Sequence, residues 1–296
     1  MNISSLLLSN SDYYLVPLYL IFIFTVGALI RSRYIQKFPE YKYFIQGLFF
    51  KLIGVSAFFL VYLFYYEGGD TANYFLGTQA IGNLLIQDFE KGYHILFNTN
   101  SAYNSWESFN SVTGFPPHYM WKDSNTFSVC RFTIPFYFLG SQSFIITSFL
   151  TSCFSYIGVW KLYRLFNNLY NSYSRPLAYM ILFLPTLIFW GGGIMKDSYV
   201  LGATCWITYN FYQVFILRKK ILSNVLFLSI NLLIILNIKS YVIISLIPGM
   251  ILWLNSSYLS KFKNTFLKIL FIPILISSIS VVGFFALNNL SSLMGV

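Results

Sequence analysis

Charged residues, cysteines and histidines are all scarce in this chain. Charged side chains make up 9% of the 296 residues, whereas a typical soluble domain has about 25%. Hydrophobic residues make up 57%, and the mean hydropathy is +0.64. This composition excludes an ordinary soluble domain and predicts a polytopic membrane protein.

The three cysteines, Cys130, Cys153 and Cys205, lie at unrelated spacings. Two of them fall inside long apolar runs. The pattern therefore predicts neither a disulfide framework nor a cysteine metal site.

Eight apolar runs are near the roughly 20 residues that a helix needs to cross a bilayer. They are 13–30, 47–66, 143–160, 177–193, 199–217, 221–238, 241–254 and 266–287. The sixth and seventh are too long together for a single crossing, so they predict a helical hairpin that turns near Lys239, and Pro248 interrupts the seventh. The predicted fold class is all-α: a membrane helical bundle of about eight spans forming one transmembrane domain, residues 1–296.

The charges predict the orientation. Fourteen of the 19 basic residues, Lys51 included, fall on one side of the predicted spans, and eight of the nine acidic residues fall on the other, with Glu40 as the exception. By the positive-inside rule, segments 31–46, 161–176, 218–220 and 255–265 face the cytoplasm and both termini face outside. No positive segment or cleavage site precedes the first run, so we expect an uncleaved first helix. The net charge of +10 thus reflects topology and excludes a nucleic-acid-binding surface.

The longest polar segment is the outer loop 67–131, inserted between spans two and three. It opens with Glu67-Gly68-Gly69-Asp70-Thr71-Ala72-Asn73-Tyr74, and apolar residues at helical spacing follow. We predict a helix along the outer surface after Asp70, with Asp70 and Tyr74 on one face. Asp70 fits two roles, a helix N-cap and a general base held at the membrane surface.

Two further outer turns carry charge. Lys196 and Asp197 begin the fifth span, where backbone amides and the positive end of the helix dipole can hold an anion; both residues are also typical of a plain helix end at the interface. Lys239 lies at the turn of the predicted hairpin and has the same two interpretations. Segment 132–140, with Pro135 and Gly140, predicts a re-entrant or interfacial turn.

The order of these features resembles the multi-pass glycosyltransferases of the GT-C fold, which transfer sugars from polyprenyl-phosphate donors at the outer face. The similar segments are Gly69-Asp70-Thr71-Ala72-Asn73-Tyr74, Leu139-Gly140-Ser141-Gln142-Ser143-Phe144 with Tyr163-Arg164-Leu165, Pro185 with Trp190 and Lys196-Asp197, and Ile238-Lys239-Ser240-Tyr241. The resemblance covers roughly residues 50 to 250. The polysaccharide polymerase families are a second resemblance.

These resemblances imply an integral-membrane glycosyltransferase of the bacterial inner (plasma) membrane, active on the outer face. Asp70 is the expected catalytic base, because deprotonating an acceptor hydroxyl needs a carboxylate. The expected substrate-binding residues are Tyr74, Arg131, Lys196, Asp197, Lys239 and Tyr241, since a leaving phosphate needs fixed positive charge.

The sequence does not identify a cofactor. Asp70 and Asp197 can share a divalent cation, but the sequence has no clear metal site. Expected partners are a lipid-linked sugar donor, membrane lipids and other cell-envelope biosynthesis proteins, with no nucleic acid. A lipid-linked polysaccharide polymerase or ligase is the second function considered, and a non-enzymatic transporter or scaffold the third. The absence of a charge near the centre of any predicted span argues against a transporter.

The predicted topology can be tested by cysteine labelling from outside the cell. We expect a cysteine introduced at position 104 to be labelled and one at position 219 to be protected, because the charge asymmetry places them on opposite sides. Labelling of position 219 but not of position 104 would invert the topology.

Overall fold

The structure, a computed structural model, describes residues 7–97 and 106–259. Every regular element in these ranges is a helix, which confirms the all-α prediction. Four helical segments there are long and apolar enough to cross a membrane: Asp12–Ile35, Pro39–Tyr65, Phe144–Leu169 and Ile221–Ile238. They correspond to the first, second, third and sixth predicted runs. The eighth run, 266–287, lies outside the described residues.

The chain divides into two compact units, residues 1–205 and 206–296. The helices of the first unit are α1 (Asp12–Ile35), α2 (Phe44–Leu60), α3 (Asp70–Gln87), α4 (Phe89–Phe97), α5 (Ser124–Leu139), α6 (Phe144–Leu169), α7 (Ser174–Leu182), α8 (Pro185–Trp190) and the first part of α9 (Lys196–Phe211). A 3-10 turn, Pro39–Tyr43, precedes α2, and a π-helical turn, Val61–Tyr65, continues it. We call the whole segment Pro39–Tyr65 the α2 rod.

The second unit contains the end of α9, a π-helical turn (Tyr212–Ile216), α10 (Ile221–Ile238) and α11 (Tyr241–Leu259). Stacked aromatic rings join these elements. The ring centroids of Trp206 and Phe227 are 5.2 Å apart, and those of Tyr212 and Trp253 are 5.3 Å apart. Because α10 ends at Ile238 and α11 begins at Tyr241, the hairpin near Lys239 is confirmed. Pro248 lies inside α11 and does not interrupt it, contrary to the sequence expectation.

Aromatic side chains pack the beginning of the α2 rod against the second half of α6. The ring of Phe44 meets that of Trp160 edge to face at 4.9 Å, and the Tyr156 hydroxyl donates to the Phe44 carbonyl. At the same end, Arg164 Nε donates to Glu40 Oε1 at 3.3 Å, and both side chains are largely buried. The one acidic residue predicted on the cytoplasmic side is therefore paired with a basic residue predicted on that side.

Lys51 does not lie in a loop at the edge of a span, and the expectation that no span has a charge near its centre was wrong. Lys51 lies near the middle of the α2 rod and is only 4% exposed. Its ammonium donates to the carbonyls of Leu187 at 3.0 Å, Ile188 at 3.5 Å and Gly191 at 2.6 Å. Lysine therefore tolerates burial here because carbonyl oxygens at the negative end of α8 surround it.

The fourth predicted run, 177–193, is not one straight helix. It is divided into α7 and α8 between Leu182 and Pro185. Leu184 has an extended backbone, with φ −69° and ψ 116°, which a residue before proline prefers because the proline ring clashes with the helical conformation. By contrast, Pro135 lies inside α5, so segment 132–140 is not broken there; the chain instead turns at Gly140 before α6.

The hydrogen bonds of Lys51 predict a large effect of its removal on stability. Lys51→Met should lower the free energy of unfolding by about 2–4 kcal/mol, because it leaves buried carbonyl oxygens without a donor. Reversible unfolding in mixed micelles measures the effect. Lys37→Met is the matched control, since Lys37 is an exposed cation of the same unit. Equal stability of the two variants would contradict a stabilising role for Lys51.

Candidate functional site

The beginning of α3 presents the Asp70 carboxylate to solvent. The chain leaves the α2 rod in a tight turn in which the Gly68 amide donates to the Tyr62 carbonyl at 2.9 Å. Gly69 then occupies the N-cap position with φ +105°, a conformation that favours glycine. Asp70 is thus the first helical residue and not the N-cap. Its side chain is exposed, and no other described residue forms a hydrogen bond or ion pair with it.

The N-cap of α5 is Asp123, a charged residue of this region that the sequence did not single out. Its Oδ1 accepts from the amides of Asn125 at 3.0 Å and Thr126 at 3.1 Å, and its Oδ2 accepts from the Thr126 hydroxyl. Lys196 Nζ donates to the same Oδ2 at 3.1 Å. The aspartate before Ser124-Asn125-Thr126 is a local N-cap signal, but nothing local predicts its partner 73 residues away.

The start of α9 is positioned by a triple-glycine turn, residues 191–193. The Gly193 amide donates to Ser152 Oγ at 2.9 Å, and the Ser198 hydroxyl donates to the Gly192 carbonyl at 2.9 Å. A Cβ at Gly191 would lie 2.9 Å from Lys51 Nζ, so only glycine lets the turn approach the ammonium. The turn therefore ties the start of α9, with Lys196 and Asp197, to α2 and α6.

Helices α3 and α5 pack against each other, and their beginnings lie at the same end of the pair. Gly77 packs against Cys130, and further along both helices Gly82 packs against Tyr137, so the helices run in the same direction. With Lys196 bonded to Asp123, the starts of α3, α5 and α9 are brought together. We call Asp70, Asp123, Lys196 and Asp197 the three-helix cluster.

Tyrosines lie among these charges. Burial and then the Asp70 charge raise the pKa of Tyr74, with a smaller contribution from Asp123. The pKa of Tyr119 is raised to about 12, chiefly by burial and next by Asp70, although a hydrogen bond with the Asn73 side chain opposes the shift. Asp70 and Asp123 thus both act on Tyr74 and Tyr119, which agrees with the two carboxylates lying around one region, and Asp197 is the neighbour of Lys196 in α9.

Not every predicted binding residue is exposed in this region. Tyr74 is only 3% exposed, so it does not present a surface to a ligand. The Arg131 guanidinium lies over the Phe127 ring, 4.8 Å from its centroid. Burial lowers the pKa of Arg131. Its side chain forms no ion pair with an aspartate of the three-helix cluster among the described residues, and its Nε has no hydrogen-bond partner there.

Lys239 and Tyr241 belong to the second unit. Lys239 caps α10, and its amide donates to the Ile235 carbonyl at 2.8 Å. Tyr241 begins α11 and is exposed. Their membership of a shared site with Asp70 stays a prediction.

Among residues 7–97 and 106–259, no group of three or more His, Cys, Asp or Glu side chains is arranged to hold a metal ion. A divalent cation shared by Asp70 and Asp197 also stays a prediction. Comparison of the chain with protein-family models, with curated proteins and with solved structures found no significant match. Any functional conclusion therefore depends on the geometry of the cluster.

The Asp123–Lys196 ion pair should make stability depend on pH. Partial burial alone would raise the pKa of Asp123, but hydrogen bonds from Thr126 and the charge of Lys196 lower it overall. Because the folded value lies below the unfolded one, the stabilisation is present above pH about 4 and is lost as pH falls through the folded value.

Asp123→Asn keeps a capping side chain but loses this charge. We expect it to lower the free energy of unfolding at pH 7 by about 1 kcal/mol or less, because the pair is partly exposed, and the difference from the wild type should shrink as pH falls below the ordinary aspartate pKa of about 4. Unfolding curves between pH 2 and 7, which is about the range over which a carboxylate titrates, measure it. In a Lys196→Met background the substitution should cost less, and an equal cost there would exclude the ion pair as its cause.

Proposed function

We propose that this protein is an integral-membrane glycosyltransferase that moves a sugar from a lipid-phosphate donor to an acceptor at the outer face of the membrane. The observation that supports it most is the Asp70 carboxylate, which is exposed at the start of α3 and unpaired among the described residues. A general base must reach the proton of an acceptor hydroxyl, and an exposed, unpaired carboxylate can do so.

The two other aspartates of the cluster have different surroundings. The Asp123 carboxylate caps α5 and holds Lys196. Asp197 lies in the first turn of α9, where a carboxylate interacts favourably with the helix dipole. Asp70 is therefore assigned the base, and Asp123 the positioning of Lys196.

Lys196 is assigned to the leaving phosphate. An ammonium has three donor hydrogens, so Lys196 can bind a phosphate oxygen while it keeps its hydrogen bond to Asp123. The donor hydrogens then face negative charge that develops as the sugar–phosphate bond breaks. Arg131, Lys239 and Tyr241 stay predicted binding residues, since Arg131 forms no ion pair with the cluster among the described residues and the other two belong to the second unit.

The proposal includes the finer topology from the sequence: eight spans in a bacterial plasma membrane, with the three-helix cluster on the outer side. The charge asymmetry supports this orientation. The Glu40–Arg164 pair agrees with the two segments around it lying on one side of the membrane, as the topology requires.

A transporter is the second candidate, and Lys51 is the observation that favours it. Charged residues inside spans often mark substrate or ion pathways, and transporters often have discontinuous helices near the middle of the membrane. However, the three carbonyls around the Lys51 ammonium account for its burial without any ligand. The transferase therefore remains the first proposal.

Asp70→Asn tests the base directly. It should lower turnover by about 10² or more, because the amide is nearly the same size but accepts no proton. The measurement is transfer from a labelled lipid-linked sugar by purified variants matched for thermal stability. Asp88→Asn is the control, since Asp88 is an aspartate of the same unit whose partner is the exposed Lys91 at 3.1 Å.

The outcomes separate the candidate functions. Full activity of Asp70→Asn would show that the carboxylate only favours the start of α3. Transfer of single sugars supports a transferase, whereas processive chain growth identifies a polymerase. Uptake or release of solute by proteoliposomes without any transfer would favour the transporter.

A further inference from the structure

A polar cavity lies between α3 and segment 111–117 of the outer loop, further along α3 than Asp70. It has a volume of about 460 Å³, and its lining includes Gln79, Asn83, Ser111, Thr113 and Phe115. The volume is within the range of small-ligand sites. None of these residues has a role in the three-helix cluster.

The cavity offers polar groups that solvent or a ligand can reach. Gln79 is half-buried, and its amide forms no hydrogen bond with any described residue, yet neither amide atom is sealed from solvent. Ser111 is exposed, and its hydroxyl likewise has no partner in the described part of the chain. Amide and hydroxyl groups can both donate and accept hydrogen bonds. The free groups therefore match a ligand whose own groups donate and accept as well.

Charge is absent from the described lining of the cavity. An ionic ligand would lose hydration there without meeting an opposite charge, which is unfavourable. The wall also contains an aromatic ring, since Phe115 is 46% exposed. The face of such a ring carries partial negative charge and attracts the polarised C–H groups of a sugar ring. Uncharged hydroxyls beside a face of C–H groups describe a neutral saccharide.

Hydrogen bonds hold the outer wall of the cavity against α3. Asn83 Nδ2 donates to the Thr113 carbonyl at 3.2 Å, and Asn110 Nδ2 donates to Gln87 Oε1 at 3.3 Å. The Asn110 side chain also accepts from the Thr113 amide at 3.0 Å. The Phe115 ring is stacked on that of Trp106, with centroids 4.9 Å apart. The wall is thus formed before a ligand binds, which reduces the entropy lost on binding.

Helix α3 connects the cavity with Asp70. Leu76 lines the cavity, and Asn73 lies between it and Asp70 at a spacing of three residues, so the three follow one another along the helix surface. At 1.5 Å per residue, the cavity extends from about 9 Å to about 20 Å beyond Asp70 along the axis. Only an elongated ligand spans that distance. Asn73 is hydrogen-bonded to the exposed Tyr119 on the way.

We propose that this cavity binds an uncharged oligosaccharide, with sugar hydroxyls bonded to Gln79 and Ser111 and a sugar ring packed against Phe115. Its role as the acceptor, whose terminal hydroxyl reaches Asp70, rests on the proposed transferase function. In that step the acceptor oxygen bonds to the anomeric carbon of the donor sugar, and its proton passes to Asp70. The sugar–phosphate bond breaks, and its electron pair leaves with the phosphate.

Binding is tested with the full-length protein in lipid nanodiscs by saturation-transfer NMR. The probes are neutral tetrasaccharides of glucose, mannose, galactose and N-acetylglucosamine, the anionic tetragalacturonate, and an uncharged Ser-Gly peptide. Glycoside detergents are avoided because their headgroups are themselves saccharides. We expect at least one neutral tetrasaccharide to bind, and neither tetragalacturonate nor the peptide.

Variants assign the binding to the cavity. Gln79→Ala should weaken the best-binding tetrasaccharide about fivefold, the effect of losing one hydrogen bond. Its melting temperature should be unchanged, because the Gln79 amide has no partner to lose among the described residues. Phe115→Leu keeps an apolar side chain, removes the ring and should weaken binding as well. Gln36→Ala is the matched control, since Gln36 is an exposed glutamine at the end of α1.

Transfer kinetics separate acceptor from donor, because the lipid-linked donor also carries sugar. With the best-binding tetrasaccharide as acceptor, Gln79→Ala should raise the KM for the acceptor about fivefold and leave kcat and the KM for the donor near the wild-type values. A raised KM for the donor alone would assign the cavity to the donor sugar and overturn the acceptor role.

The remaining outcomes distinguish this inference from the transferase proposal. Failure of every neutral tetrasaccharide to bind, equal binding by Gln79→Ala and Gln36→Ala, or binding of the peptide alone would overturn the saccharide site. Unchanged acceptor KM in Gln79→Ala with active transfer would overturn only the acceptor role. Saccharide binding that depends on Gln79 in a protein that transfers no labelled sugar would contradict the transferase and leave the binding site standing.

Discussion

The hydrogen bonds from the Lys51 ammonium to the end of α8 are the interaction on which the architecture of the first unit depends. A lysine at the centre of a membrane helix is unfavourable by about 2.5–3.5 kcal/mol on insertion scales. Three carbonyl oxygens within 3.5 Å of Nζ offset that penalty, and hydrogen bonds from a charged donor are stronger than neutral ones. Because the donor belongs to α2 and the acceptors to α8, the two helices cannot separate without exposing both to the lipid.

The position of the three-helix cluster follows from this constraint. Gly191 provides the last of the carbonyls bonded to Lys51. The next two glycines form hydrogen bonds as well, Gly192 with Ser198 and Gly193 with Ser152. Lys196 comes three residues later and is fixed in turn by Asp123 at the start of α5. A continuous set of hydrogen bonds thus runs from the middle of α2 to the starts of α9 and α5. Asp70 remains exposed at the start of α3, and the proposed role as a base requires such a carboxylate on a rigid element.

The two ends of the α2 rod differ in their chemistry. At the end near Asp70, aspartates predominate at helix starts, where carboxylates also stabilise the helix dipole. At the end near Pro39, a buried Glu40–Arg164 pair lies beside a polar cavity that three asparagines help to line.

The sequence by itself determined the features that depend on neighbouring residues. The all-α class, four of the apolar runs as helices long enough to cross a membrane, the hairpin turn near Lys239 and a helix beginning near Asp70 all follow from run length, spacing and turn residues, which are local. Tertiary structure alone decided the burial of Lys51, the pairing of Lys196 with Asp123, and the burial of Tyr74. Each of these depends on contacts between residues far apart in the chain. No local periodicity encodes such contacts, because a charged residue in an apolar run is compatible with a loop, a snorkelling side chain or a buried hydrogen bond until its partner is known.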